Sequence, residues 1–184
     1  MRNFLELPQN YHESFKVDLQ KDKKLAILVN VIALIIFIRL VVAGIFISPM
    51  NGFGIFSTLM LIFVNILYIV LHELIHGLFM RIFSGVRPHY GFTGLYAYAG
   101  SDVYFNRFHY IIIALAPVVI WGIVLALLCV LTNGTVWFWV FYLTEAMNLS
   151  GAAGDFYVTW RFSKLPKDIL IQDAGVSMTV YTRE

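Results

Sequence analysis

Four stretches of this chain are apolar for about the 20 residues that a helix needs to cross a hydrocarbon layer. They cover positions 25–47, 55–83, 110–131 and 136–160, and the first is interrupted only by Arg39. A water-soluble domain is about half apolar and a quarter charged. Here 60% of the 184 residues are hydrophobic and 13% are charged. The sequence therefore predicts one all-α integral membrane domain over residues 1–184, with a transmembrane helix at each of the four runs. The first run is longer than a signal-peptide core of about 7–15 residues, and "SPMNG" after it is a poor cleavage site, so it is expected to remain as a span.

The basic residues give the direction. Arg2, Lys16, Lys21, Lys23, Lys24, Arg81, Arg87, Arg107, Arg161, Lys164, Lys167 and Arg183 all fall on one side of the four spans, and the connectors 48–52 and 132–134 carry none. Positive charge collects on the cytoplasmic side. Segments 1–24, 84–109 and 161–184, with both termini, are then expected in the cytoplasm. The net charge of +2 is too small to suggest a nucleic-acid partner, and the single Cys129 excludes an intrachain disulfide.

Two of the cytoplasmic segments alternate. In "SFKVDLQ", Phe15, Val17 and Leu19 oppose Lys16, Asp18 and Gln20; in "VSMTVY", Val176, Met178 and Val180 oppose Ser177, Thr179 and Tyr181. A period of two is that of a half-buried strand. The two are expected to pair as small cytoplasmic strands. The loop 84–107, "SGVRPHYGFTGLYAYAGSDVYFNR", is rich in Gly and Tyr and reads as a β-hairpin or re-entrant loop at the interface, where an exposed strand edge would hold an extended peptide.

The second run contains "HELIHG", which places His72, Glu73 and His76 in hydrocarbon. Ionisable groups inside a span cost about 2.5–3.5 kcal/mol each on insertion scales and face protein interior or function. His72 and His76 are i and i+4, so a helix sets them on one face. That spacing suits two imidazole ligands of one Zn2+ ion, with Glu73 beside the metal as general base rather than bound to it.

A catalytic zinc site takes three protein ligands and a water. Candidates for the third are His12, His89, His109, Asp102, Glu145 and Asp155. Depth favours Asp155. It lies six residues from Arg161, as His76 lies five from Arg81, whereas Glu145 is ten residues further along. At 1.5 Å per residue the first two agree within about 2 Å and Glu145 is about 15 Å away. The small residues "SGAAG" before Asp155 permit close helix packing. Asn148, seven residues before Asp155, stands two turns away on the same face. Its amide is a candidate for holding a substrate carbonyl or oxyanion, or for an interhelical hydrogen bond. Arg39 and Glu145 are expected at similar depth and are candidates for an ion pair.

"HELIHG", the Gly/Tyr loop, "ALAPVV" (114–119) and "NLSGAAGD" (148–155) together resemble the bacterial "putative zincin peptidase" family of membrane proteins, over nearly the whole chain. More distantly they resemble the site-2 intramembrane zinc proteases, whose aspartate ligand comes from a later helix. The resemblance implies His72, His76 and Asp155 as metal ligands, Glu73 as catalytic base, Asn148 as a substrate-side amide and Ala116-Pro117 as a relic of a small-residue–Pro element. Asp155 stands in Gly-Asp-Phe rather than the Leu-Asp-Gly usual in site-2 proteases. The expected function is zinc-dependent hydrolysis of peptide bonds in or near the membrane segments of a substrate, in the bacterial cytoplasmic membrane. The rivals are a protease-like binding subunit without turnover and a metal-handling transporter.

Overall fold

The computed structural model describes residues 3–94 and 96–183; Arg2, among the basic residues above, lies outside them. Its elements are β1 (Tyr11–Asp18), α1 (Lys23–Ile47), α2 (Ile55–Ser84), β2 (His89–Phe92), β3 (Ala97–Gly100), β4 (Tyr104–Asn106), α3 (Arg107–Leu131), α4 (Val136–Gly151), α5 (Ala153–Ser163), β5 (Leu170–Asp173) and β6 (Ser177–Arg183).

Helices α1, α2 and α3 are each long and apolar enough to cross a membrane, and they follow the first three runs closely. Local chemistry sets their ends. Asp22 Oδ1 accepts the Leu25 N–H at 3.0 Å and caps α1. Gly85, at φ 73°, closes α2 with its N–H on the Arg81 carbonyl at 2.8 Å, the left-handed stop that glycine allows without a Cβ penalty.

The fourth run departs from the single helix expected over 136–160. It forms α4 and α5, separated at Ala152, whose φ of −75° and ψ of 10° leave the helical path and whose N–H turns back to the Asn148 and Ser150 carbonyls. Glycine in a helix interior costs about 1 kcal/mol against alanine, and the glycines and alanines here carry no long side chains to brace the turn. At 16 and 11 residues, neither piece alone has the length of a span.

Contacts divide the chain into two units. One takes the N-terminal segment to Ile27, Glu73–Pro117 and the C-terminal segment from Asp155. It holds a four-stranded antiparallel sheet in the order β1-β6-β5-β4 and the separate hairpin β2-β3. The expected pairing of the two alternating segments is present: Phe15 faces Val180 and Val17 faces Met178, with an irregularity between Glu13 and Phe15. Val17 and Val180 enter a core with Met80, Phe105, Tyr110, Ile113, Phe162 and Ile171, against which Phe15 and Met178 pack. The expected hairpin is β2-β3. Its turn holds Gly94 at φ 91° and a Thr93 N–H bond to the Tyr96 carbonyl at 3.0 Å.

The other unit is Leu28–His72 and Val118–Gly154. Gly44 of α1 leaves room for the Tyr142 and Trp139 rings of α4, where a Cβ would collide. Tyr142 donates its hydroxyl to the Leu40 carbonyl at 2.7 Å, and Asn65 of α2 donates to Thr144 Oγ1 at 3.2 Å. Such short-range polar bonds between close-packed helices are what hold apolar helices together where burial gains little. Outward-facing Leu34, Ile38, Ile45 and Phe46 leave α1 coated in exposed hydrocarbon. Arg39 is exposed as well and makes no ion pair with Glu145, which instead accepts from Asn148.

Candidate metal centre

Helix α2 is continuous through "HELIHG", so its 3.6-residue repeat sets the motif's geometry without help from other elements. One ligand atom from each of His72, Glu73 and His76 lies within 4.8 Å of the others. Among the described residues no other His, Asp, Glu or Cys joins that compact group. His72 is buried; Glu73 and His76 are partly so.

His76 is fixed from behind. Its Nδ1 is 2.8 Å from the Ile113 carbonyl of α3. A carbonyl only accepts, so Nδ1 carries the hydrogen, and in the neutral ring Nε2 is the nitrogen with the lone pair. That Nε2 is 3.8 Å from Asp155 Oδ1, in the first turn of α5. The structure thus brings the expected third ligand beside the second histidine. Two imidazole nitrogens and a carboxylate oxygen are the donor types of a catalytic zinc site, and a backbone bond to the far ring nitrogen is how ligand histidines are oriented.

Strand β3 lies beside Glu73, with the Ala99 backbone N–H turned toward the Glu73 carboxylate. The Thr93–Tyr96 bond makes that pair a hydrogen-bonded one. By the alternation of an antiparallel ladder, Tyr98 and Gly100 then also point their backbone groups at β2, and Ala97 and Ala99 point theirs away from it. The outward edge of β3 therefore runs past the would-be general base. Tyr90 of β2 lies on α2 at Gly77, next to His76, where any side chain would meet its ring.

Asn148 is fully buried on α4. Its Nδ2 donates to the Val118 carbonyl and to Glu145 Oε2, both at 3.1 Å, and its Oδ1 accepts from the Tyr68 hydroxyl at 3.2 Å. Tyr68 Oη is 3.0 Å from His72 Nδ1. The amide thus meets the motif through a tyrosine. The other candidate ligands have different surroundings. His12 lies by Thr182 on the sheet, His109 stacks on Phe83 and bonds to Asn106, His89 is on β2, and Asp102 is exposed.

Tyr68 and Asp173 were not singled out by sequence reasoning. Tyr68 has a simple signal, since it is four residues before His72 and shares its face. Asp173 has none, coming from a short strand far along the chain. It is buried, and it accepts the Tyr110 hydroxyl and the Gly175 N–H, both at 2.8 Å. Burial holds its pKa above the usual 3.8, against the pull of those bonds and of nearby His76.

The model of a family described as "Putative zincin peptidase" matches residues 65–170, more than half the chain. The chain belongs to that family. The matched segment starts just before Tyr68 and contains His72, Glu73, His76, β3, Asn148 and Asp155, so the zincin-peptidase match covers the sequence-predicted site residues, while β1, α1, β6 and Asp173 lie outside it. No curated protein and no solved structure matches the chain.

Proposed function

We propose that this chain is an intramembrane zinc metallopeptidase. It hydrolyses peptide bonds in or near the membrane segments of proteins or membrane-associated peptides, from the cytoplasmic side of a bacterial cell membrane. The carrying observation is the grouping of His72, Glu73 and His76 on one apolar helix, with Asp155 at 3.8 Å from His76. In this reading α4 and α5 together make the fourth crossing, and both termini are cytoplasmic. A backbone break inside a span is tolerated where it lines a polar cavity, and the break at Ala152 lies three residues before Asp155.

His72 and His76 would hold zinc through Nε2, and Asp155 through a carboxylate oxygen. The bound ion would supply a Lewis acid and a water acidified to a pKa of about 7. Glu73, half-buried beside β3, takes the proton of the attacking water and delivers it to the departing amine. The outward edge of β3 holds the substrate extended through the backbone groups of Ala97, as peptides add to exposed strand edges elsewhere. Asn148 as a substrate-side amide would first have to exchange its bonds to Val118 and Glu145.

Glu73→Gln separates hydrolysis from simple metal holding. The variant is expected to keep its zinc and lose cleavage of a membrane-peptide substrate. Retained cleavage in a zinc-loaded Glu73→Gln protein would refute the hydrolase reading, and metal flux across proteoliposomes with no cleavage would favour a transporter.

A further inference from the structure

The hydrogen-bond chain behind His72 has a definite direction. Asn148 Nδ2 sits 3.1 Å from two groups that can accept, the Val118 carbonyl and Glu145 Oε2. That fixes which way the amide points, because turning it over would set its oxygen against both acceptors. Asn148 Oδ1 must therefore be the atom that faces Tyr68, at 3.2 Å. A phenol has one hydrogen, and an amide oxygen can only accept, so the Tyr68 hydrogen is committed to Asn148. The Tyr68 oxygen then presents a lone pair to His72 Nδ1 at 3.0 Å. His72 Nδ1 must supply the hydrogen of that bond, and in the neutral ring this makes Nε2 the nitrogen that carries the lone pair. All four groups, Tyr68, His72, Asn148 and Glu145, lie within one of the two units.

We propose that Tyr68 and Asn148 are positioning residues that set the tautomer of His72, holding it with Nδ1 protonated and Nε2 ready for a metal before any metal arrives. Two observations support the chain as a fixed device. Asn148 has no exposed surface and Tyr68 is 6% exposed, so water does not offer either an alternative partner. The Tyr68 ring is also clamped edge-on between Trp121 and His72, with centroids 5.8 and 5.5 Å away. In an apolar surrounding an unpaired polar group is costly, so the arrangement that pairs every group is strongly preferred. Partners behind a ligand histidine typically change metal affinity by about 10–100-fold when removed. The inference rests on His72 being a ligand, but its first readout needs no metal.

The experiment uses the full chain in detergent or nanodiscs with 15N-labelled histidine. In metal-free wild type, the His72 imidazole is expected as the Nδ1–H tautomer. In Tyr68→Phe, which keeps both ring contacts, the preference is expected to relax toward a mixture. In Asn148→Leu the Tyr68 hydrogen loses its acceptor and turns onto His72 Nδ1, so the tautomer is expected to invert to Nε2–H. Zinc affinity by competition with a chelating dye is expected to fall about 10–100-fold in both variants, with His76 spectra unchanged. An Nε2–H His72 in wild type, or unaltered tautomer and affinity in Tyr68→Phe, would overturn the proposal. Should wild type show the expected tautomer but bind no zinc, the peptidase reading fails and the positioning chain stands.

Discussion

His76 Nε2 stands 3.8 Å from Asp155 Oδ1, so an imidazole on α2 faces a carboxylate at the start of α5. The separation is long for a hydrogen bond. It is near the roughly 3.4 Å that separates two ligands each about 2.0–2.1 Å from one tetrahedral ion. Asp155→Ala should therefore lower zinc affinity by about 100-fold or more, a larger loss than removing a partner one step behind the ligands. Isothermal titration or dye competition on folded, metal-free protein checks this; an unchanged affinity would remove Asp155 from the ligand set.

The β3 edge gives a pair of proline substitutions with opposite outcomes. Ala97 points its N–H away from β2, so Ala97→Pro removes no hairpin bond, and proline is accepted on strand edges. The variant should fold and bind zinc as wild type does, yet lose most cleavage of an extended peptide. Tyr98 points its N–H at β2, so Tyr98→Pro should disrupt the hairpin itself and lower thermal stability. Full cleavage by Ala97→Pro would rule out substrate addition at this edge.

Asp173 makes stability depend on pH in a stated direction. Its folded pKa is raised above 3.8 by burial, so between 3.8 and the raised value the folded state holds more proton than the unfolded one. Stability then falls as pH rises through that window. Thermal midpoints of wild type and Asp173→Asn, measured from pH 4 to 8, should converge in slope above the window and differ within it, with the variant flatter. Identical slopes throughout would contradict the buried, proton-holding Asp173.

Gly44 tests the packing of α1 on α4. Gly44→Val drives its side chain into the Tyr142 and Trp139 rings and threatens the Tyr142 bond to Leu40. Overpacking of this kind costs about 1–3 kcal/mol. A loss of that size should appear in denaturant or thermal unfolding in detergent, while zinc affinity stays at the wild-type level.

Different parts of this fold were readable in the sequence for different reasons. The three long helices follow from the bilayer's thickness, which leaves apolar runs no other use. The β1–β6 pairing was readable because Phe15, Val17, Met178 and Val180 keep a two-residue period on one buried face. Strands β4 and β5 were not, since three or four residues such as Tyr104–Asn106 and Leu170–Asp173 are too few to display a period. The break at Ala152 carries no proline, and its small residues read equally well as a packing seam. At the site, the His72–His76 spacing is self-contained within one helix, and the nearness of Asp155 to His76 was within reach of counting depth. Counting depth did not by itself pair Arg39 with Glu145, since depth carries no information on which way a side chain turns. Tyr68 was within reach of the same i, i+4 reasoning that found the histidines.

The measurement that bears most directly on this account is the metal content of the protein purified from membranes without chelators, beside its His72→Ala and His76→Ala variants. The account predicts about one zinc per chain in the wild type and little in either variant that remains folded, as the paired imidazoles are the core of the site. A folded wild-type protein free of metal, or zinc that persists undiminished in both variants, would contradict it.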